Sequence, residues 1–374
     1  MSDVVLFEQL TCQNGKQIGV ATLNAERSLN ALSGDMVDAL YPQLLAWKSD
    51  ENIAAVLLQG AGEKAFCAGG DIVKLYNEMK SNPGDYAPGV EAYFTKEYQL
   101  DYLIHTFNKP FIVWGNGIVM GGGLGMMVGA SHRVVTESSR IAMPEISIGL
   151  YPDVGGTFFL NKMPENCGLF LGLTGASINA SDAKYTGLAD YFLLAEQKQG
   201  FIEALQAVNW GSTNALNHEK LKDVMINLEL SSNPHLPKSY VRTHQELINK
   251  VTSGEDLNAI VDAIVNQEID DKWFNKAQHS LANGSALSAQ LVYRQLNEGR
   301  SLSLADCFRL ELGLSVKCGQ FGEFYEGVRA LLIDKDNNPA WRFNSIADVD
   351  LDVVDWFFES KWLAQSHPLS QLGK

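Results

Sequence analysis

Long apolar runs are missing from this 374-residue chain, and none reaches the roughly 18 to 20 residues that a helix needs to cross a bilayer. Cysteine is scarce too. The five present (Cys12, Cys67, Cys167, Cys307 and Cys318) are odd in number, scattered and never spaced as CxxC, which argues against a disulfide framework or a zinc knuckle. The seven histidines form no HExxH and no i, i+4 pair, so no metal site is expected. Positive charge is short: 29 Lys and Arg face 44 Asp and Glu, a net charge of −15. That balance argues against nucleic acid or an anionic membrane surface as partner. The opening Met1-Ser-Asp-Val-Val-Leu-Phe-Glu8 carries neither a basic n-region nor an Arg-rich amphipathic stretch. No secretory signal or transit peptide is therefore expected, and the chain reads as cytoplasmic.

What is present is an alternation. Gln17 to Leu23 reads as a strand, with Ile18, Val20 and Thr22 alternating, and Ile53 to Leu58, Phe111 to Trp114 and Arg133 to Thr136 read as buried strands. Ser33 is placed as an N-cap ahead of a helix that aligns Val37, Leu40, Leu44 and Trp47, with Pro42 weighing against its continuity. Strands alternating with helices predict an α/β fold over residues 1–200. Beyond about residue 200 glycine thins out. Amphipathic helical stretches follow at Leu221 to Leu230, Leu257 to Val265 and Ser288 to Leu296. Residues 201–374 are accordingly expected to be a mainly helical region docked on the core, with Trp356, Phe357 and Phe358 as core or subunit-contact residues.

Two glycine loops follow strands. Ala65-Phe-Cys-Ala-Gly-Gly-Asp-Ile72 comes after the strand at Ile53, and Gly117-Ile-Val-Met-Gly-Gly-Gly-Leu-Gly125 after the strand at Phe111. Neither matches GxxxxGK[ST] or a dinucleotide fingerprint. A strand, then glycines, then a helix start presents backbone N–H groups to an anion or a polarised carbonyl. Cys67 lies in the first loop with no histidine near it in sequence, and it is read as a small packing residue.

Together, Ala65-Phe-Cys-Ala-Gly-Gly-Asp71 and Met120-Gly-Gly-Gly123 resemble the enoyl-CoA hydratase/isomerase (crotonase) superfamily. The resemblance implies a spiral of ββα units and an acyl-CoA substrate. It also implies an oxyanion hole from the N–H groups at Gly70 and Gly122. Coenzyme A would enter only as part of the substrate, with no resident cofactor. Arg27 aligns with a basic position that touches CoA phosphates in similar hydratases; a surface arginine is the other reading.

The carboxylates narrow the chemistry. The hydratase pattern carries a glutamate where this chain has Gly125. The segment Met143-Pro-Glu-Ile-Ser-Ile-Gly-Leu-Tyr-Pro-Asp-Val-Gly-Gly156 instead holds Glu145 and, eight residues on, Asp153. That pairing, with Phe324 to Trp341 near the C-terminus, resembles the thioester-hydrolysing branch of the superfamily. The resemblance implies hydrolysis of a short 3-hydroxyacyl-CoA, with 3-hydroxyisobutyryl-CoA from valine breakdown as the leading substrate. Glu145 and Asp153 would be catalytic, and Glu97, Gly122, Glu145 and Asp153 would contact substrate. A hydratase or isomerase of the same superfamily and a non-catalytic acyl-CoA binder stay open as alternatives, as does assembly into a homo-oligomer.

Overall fold

The structure, a computed structural model, describes residues 3–374. Its strands are β1 (Val5–Thr11), β2 (Gln17–Leu23), β3 (Ile53–Gly60), β4 (Ala65–Cys67), β5 (Phe111–Gly115), β6 (Ile118–Met120), β7 (His132–Val135), β8 (Arg140–Ala142) and β9 (Tyr191–Phe192). The chain divides into two compact units, and neither is one continuous stretch. Of the described residues, the first comprises 3–70, 100–141 and 178–240; the second comprises 71–99, 142–177 and 241–374. The change in composition near residue 200 does not mark their boundary, because residues 201–240 belong to the first unit.

In the first unit a six-stranded sheet runs in the order β1-β2-β3-β5-β7-β9. β1 pairs with β2 antiparallel, and every later pair is parallel. β5 is buried at all five residues and β3 at all but Gln59, as parallel strands covered on both faces are. Ile18, Val20, Leu57, Ile112, Trp114 and Val134 form a core with Phe201, Leu205, Leu221 and Met225 from the helices Lys198–Ala207 and Asn214–Ser232. The helix Gly34–Ser49 is continuous despite Pro42. Ser33 accepts the Met36 N–H at 3.2 Å, and five buried side chains from Met36 to Trp47 compensate for the missing backbone donor.

A three-stranded sheet, β4-β6-β8, carries the glycine loops. The second unit is helical. Its longest member past residue 241 is Leu304–Phe321, and the expected stretches at 257–265 and 288–296 fall in Leu257–Val265 and Ala286–Gly299. Within that unit Phe357 is buried and packs edge-on to Phe321 and Trp356, so Phe357 is core, while Trp356 and Phe358 are half-buried.

Candidate active site

The two glycine loops are neighbours within the first unit because β4 and β6 pair in parallel, Ala65 with Ile118 and Cys67 with Val119. Gly122 opens the helix Gly122–Gly129 behind Gly121, whose φ of 46° is a left-handed value that glycine adopts without strain. The first N–H groups of such a helix have no acceptor inside it and lie at its positive end. A side chain at Gly123 would meet the Cys67 carbonyl oxygen at 2.4 Å, so glycine permits the close approach of helix and loop. Cys67 is thus fully buried beneath the helix start, the packing position expected of it. The first loop is braced from the other side. Leu32 donates its N–H to Gly69 O at 2.8 Å, and the buried Asn30 amide donates to Ala61 O and Ala65 O at 2.9 Å each.

Three carboxylates gather in the second unit. Glu145 opens the 3-10 turn Glu145–Ile148, which ends at Gly149 with φ 68°. A side chain at Gly149 would strike Glu323 O at 2.4 Å, so this turn depends on glycine. Glu97 lies on the helix Pro88–His105 one turn past Tyr93, whose hydroxyl reaches it at 3.4 Å. Glu97, Glu145 and Asp153 are 2%, 5% and 4% exposed, and among the described residues none is ion-paired. Glu145 Oε2 is buried and meets no hydrogen-bond donor among the described residues.

This arrangement disfavours charge. Burial, then the Asp153 charge, then Glu97, hold the Glu145 carboxyl well above the usual carboxylate range. Burial and the Asp153 charge do the same to Glu97, and burial pushes Asp153 up to about 6. Like charges in one dry site cannot all ionise, so the cluster shares protons.

Asp153 is positioned by groups that its own segment does not announce. Tyr98 lies 2.6 Å from Asp153 Oδ2 and 2.7 Å from Ser315 Oγ, which is 2.8 Å from the Tyr151 hydroxyl. Just after Asp153 the backbone turns sharply, with Val154 at φ 51° and Gly155 at φ 88°. The Glu311 carboxylate accepts the N–H groups of Gly155 at 2.7 Å and Thr157 at 2.9 Å, capping the short helix Gly156–Leu160. Glu311 is fully buried, and burial raises it to about 8 against those N–H donors. Gln295 completes the clamp by donating to Pro152 O and Thr157 Oγ1 at 2.7 and 2.8 Å.

The residues singled out in sequence thus fall in two sets. Gly70 and Gly122 are in the first unit on adjoining loops. Glu97, Glu145 and Asp153 are in the second. Arg27 is exposed on the three-residue turn Glu26–Ser28 of the first unit. Tyr98, Tyr151, Gln295, Glu311 and Ser315 were not singled out. Glu311 and Ser315 had one readable signal, since both sit on the apolar stripe of the Leu304–Phe321 helix beside Phe308 and Leu312.

The sequence model of the enoyl-CoA hydratase/isomerase family matches residues 18–358. The chain belongs to that family. Among its relatives, a Danio rerio protein named 3-hydroxyisobutyryl-CoA hydrolase, mitochondrial, is 39% identical over 95% of this chain and 89% of its own length. A Homo sapiens protein of the same name is 35% identical over 96% of this chain and 89% of its own. Solved family members share the crotonase fold. A carnitinyl-CoA dehydratase from Mycobacterium thermoresistibile superposes with a TM-score of 0.84 at 28% identity, covering 100% of both chains. An enoyl-CoA hydratase from Rhodobacter sphaeroides 2.4.1 gives 0.81 at 29% identity, covering 96% of this chain and 98% of its own. The family resemblance read from the loops is borne out. The cytoplasmic expectation is overturned, because the hydrolase relatives are mitochondrial by name.

The proton-sharing cluster has a measurable consequence for stability. An unfolded glutamate loses its proton near pH 4.3, whereas folded Glu97 keeps it to a higher pH. Unfolding therefore releases a proton as pH rises above that value, and stability falls with rising pH. Glu97→Gln removes this cost. Its melting temperature is expected to exceed that of the parent by several degrees at pH 8, with the gap closing near pH 4. Thermal melts showing the same difference at both pH values would count against proton sharing in the cluster.

Proposed function

We propose that the chain hydrolyses the thioester of 3-hydroxyisobutyryl-CoA to 3-hydroxyisobutyrate and CoA, a step in valine breakdown. One observation carries the chemistry: Glu145 presents a buried carboxylate oxygen with no donor among the described residues, electrostatically coupled to Asp153. An enzyme base or nucleophile needs an oxygen in this state, open to water or substrate and raised in basicity. Position 125 is a buried glycine in the Gly122–Gly129 helix, so the first hydratase carboxylate has no counterpart. The names of the relatives agree with hydrolysis.

In this reading Glu145 attacks the thioester carbon or activates water to do so. Gly70 and Gly122 N–H groups receive the developing oxyanion, where one donor contributes about 3 kcal/mol to the transition state. Asp153 and Glu97 contact the acyl group, and Arg27 contacts a CoA phosphate. A polar site that hydrogen-bonds the 3-hydroxyl rejects acyl groups lacking it by far more than a missing methyl does. Free-thiol release from 3-hydroxyisobutyryl-CoA, run beside hydration of crotonyl-CoA, tests the proposal. Thiol release without hydration is expected. Hydration without thiol release would move the chain to the hydratases, and tight binding with neither would make it a binder.

A further inference from the structure

The Asp153 carboxyl is one end of a row of oxygens that can be counted proton by proton. The row runs from Asp153 Oδ2 to the hydroxyls of Tyr98, Ser315 and Tyr151 and ends on the backbone carbonyl of Glu311. Successive separations are 2.6, 2.7, 2.8 and 2.6 Å, each a hydrogen-bond distance. All five residues are buried in the second unit.

A hydroxyl carries one proton, so three hydroxyls bring three protons to four contacts. The Glu311 carbonyl can only accept, which commits the Tyr151 proton to it. Tyr151 then accepts from Ser315, and Ser315, its one proton spent, accepts from Tyr98. Tyr98 has no proton left for Asp153. The fourth contact is made only if the carboxyl supplies the proton itself.

We propose that Asp153 rests as the neutral acid, held so by the Tyr98–Ser315–Tyr151 chain, and that Tyr98 and Ser315 reverse direction when it gives the proton up. Once Asp153 ionises, Tyr98 turns to donate to it and Ser315 turns to donate to Tyr98. The Ser315–Tyr151 contact is then left with no proton between two oxygens 2.8 Å apart. Losing that one bond disfavours the ionised form by about one pH unit.

The other groups facing Asp153 act in the same sense. Glu97 on the Pro88–His105 helix, Glu145 on its 3-10 turn and Glu311 on the Leu304–Phe321 helix are acidic; Cys318, on that last helix, is a buried thiol. No cation among the described residues opposes them by a salt bridge to Asp153. The neutral acid also releases its neighbour. The Asp153 charge is the second cause, after burial, of the raised Glu145 carboxyl, so a protonated Asp153 lets Glu145 ionise more readily.

Under the function proposed above, on which this consequence rests, one carboxyl is the base and the other the acid. Water's oxygen adds to the carbonyl carbon as its proton passes to Glu145. The C–S bond breaks, its electron pair leaves on sulfur, and the Asp153 proton goes to that sulfur. The proton on Glu145 then restores Asp153. Tyr98, Ser315 and Tyr151 are positioning residues in this scheme.

Infrared titration of the unliganded full chain tests the protonation independently of turnover. The wild-type spectrum at pH 5, where an ordinary aspartate is ionised, is expected to contain a carboxylic-acid carbonyl band that is lost in Asp153→Asn. Ser315→Ala is expected to lower the titration midpoint of that band by about one unit and to move the alkaline limb of kcat/KM with it. Should Ser315→Ala fold poorly, Tyr98→Phe keeps the ring beside Phe94 and Phe308 and shifts the band to the frequency of an acid that donates no hydrogen bond. No acid band lost from Asp153→Asn at pH 5 overturns the proposal, as does a midpoint unmoved by Ser315→Ala. A chain that passes this titration yet releases no thiol keeps the protonated Asp153 and loses the proposed hydrolysis.

Discussion

Glu145→Gln is expected to lower kcat for thioester hydrolysis by about 1,000-fold while leaving the affinity for acyl-CoA within a few-fold of the parent. The amide matches the carboxylate in size and fits the same 3-10 turn, so the fold and the binding surface persist. What disappears is an oxygen able to take a proton or attack carbon. The buried Oε2, which meets no donor among the described residues, is the atom on which that loss falls. Single-turnover thiol release with the variant in excess, beside a binding titration of a non-hydrolysable thioether analogue of the substrate, separates chemistry from binding. Retained turnover would assign the attack to another group. A parallel loss of affinity and turnover would make Glu145 a binding residue instead.

The second large effect is on stability. Glu311→Ala is expected to cost about 3 to 5 kcal/mol, the combined cost of two buried donors left unsatisfied and of a cavity. The carboxylate accepts two backbone N–H groups, and its removal leaves both Gly155 and Thr157 donors buried with a cavity beside them. Denaturant unfolding of the purified variant reads this as a lower midpoint. Glu311→Gln is expected to lose less, because its carbonyl oxygen still satisfies one of the two donors. A Glu311→Ala variant as stable as the parent would mean that water replaces the carboxylate at no cost. Activity is expected to fall with stability, since the same two donors fix the turn that follows Asp153.

How much of the fold and the site is legible in the sequence depends on the reach of each signal. The loops at Gly70 and Gly122 and the turn at Glu145 are local: the glycines and carboxyls of each lie within a dozen residues of one another. Such patterns survive in a one-dimensional text. Tyr98 stands beside Glu97, yet an aromatic on a helix is nearly always core, and nothing nearby announces a hydroxyl partner at residue 315. Glu311 and Ser315 meet the Asp153 segment across more than 150 residues of chain, and no local pattern encodes a contact at that range. The two-unit division is hidden for the same reason. Composition changes once, near residue 200, whereas the chain passes between the units several times. Pro42 misleads in the other direction, because five buried side chains outweigh one missing backbone bond.

The span between Gly155 and Glu311 also sets when a nascent chain can become competent. Gly155 and its cap are 156 residues apart. A ribosome adding about 5 to 20 residues per second needs on the order of ten to thirty seconds to supply the second after the first. During that interval the turn after Asp153 has emerged without the side chain that satisfies its amides. The first unit, complete by residue 240, has every segment of its sheet to hand well before then. Its strands can close while the carboxylate cluster stays unformed, so a prematurely terminated product is expected to own a finished sheet and an uncapped turn after Asp153.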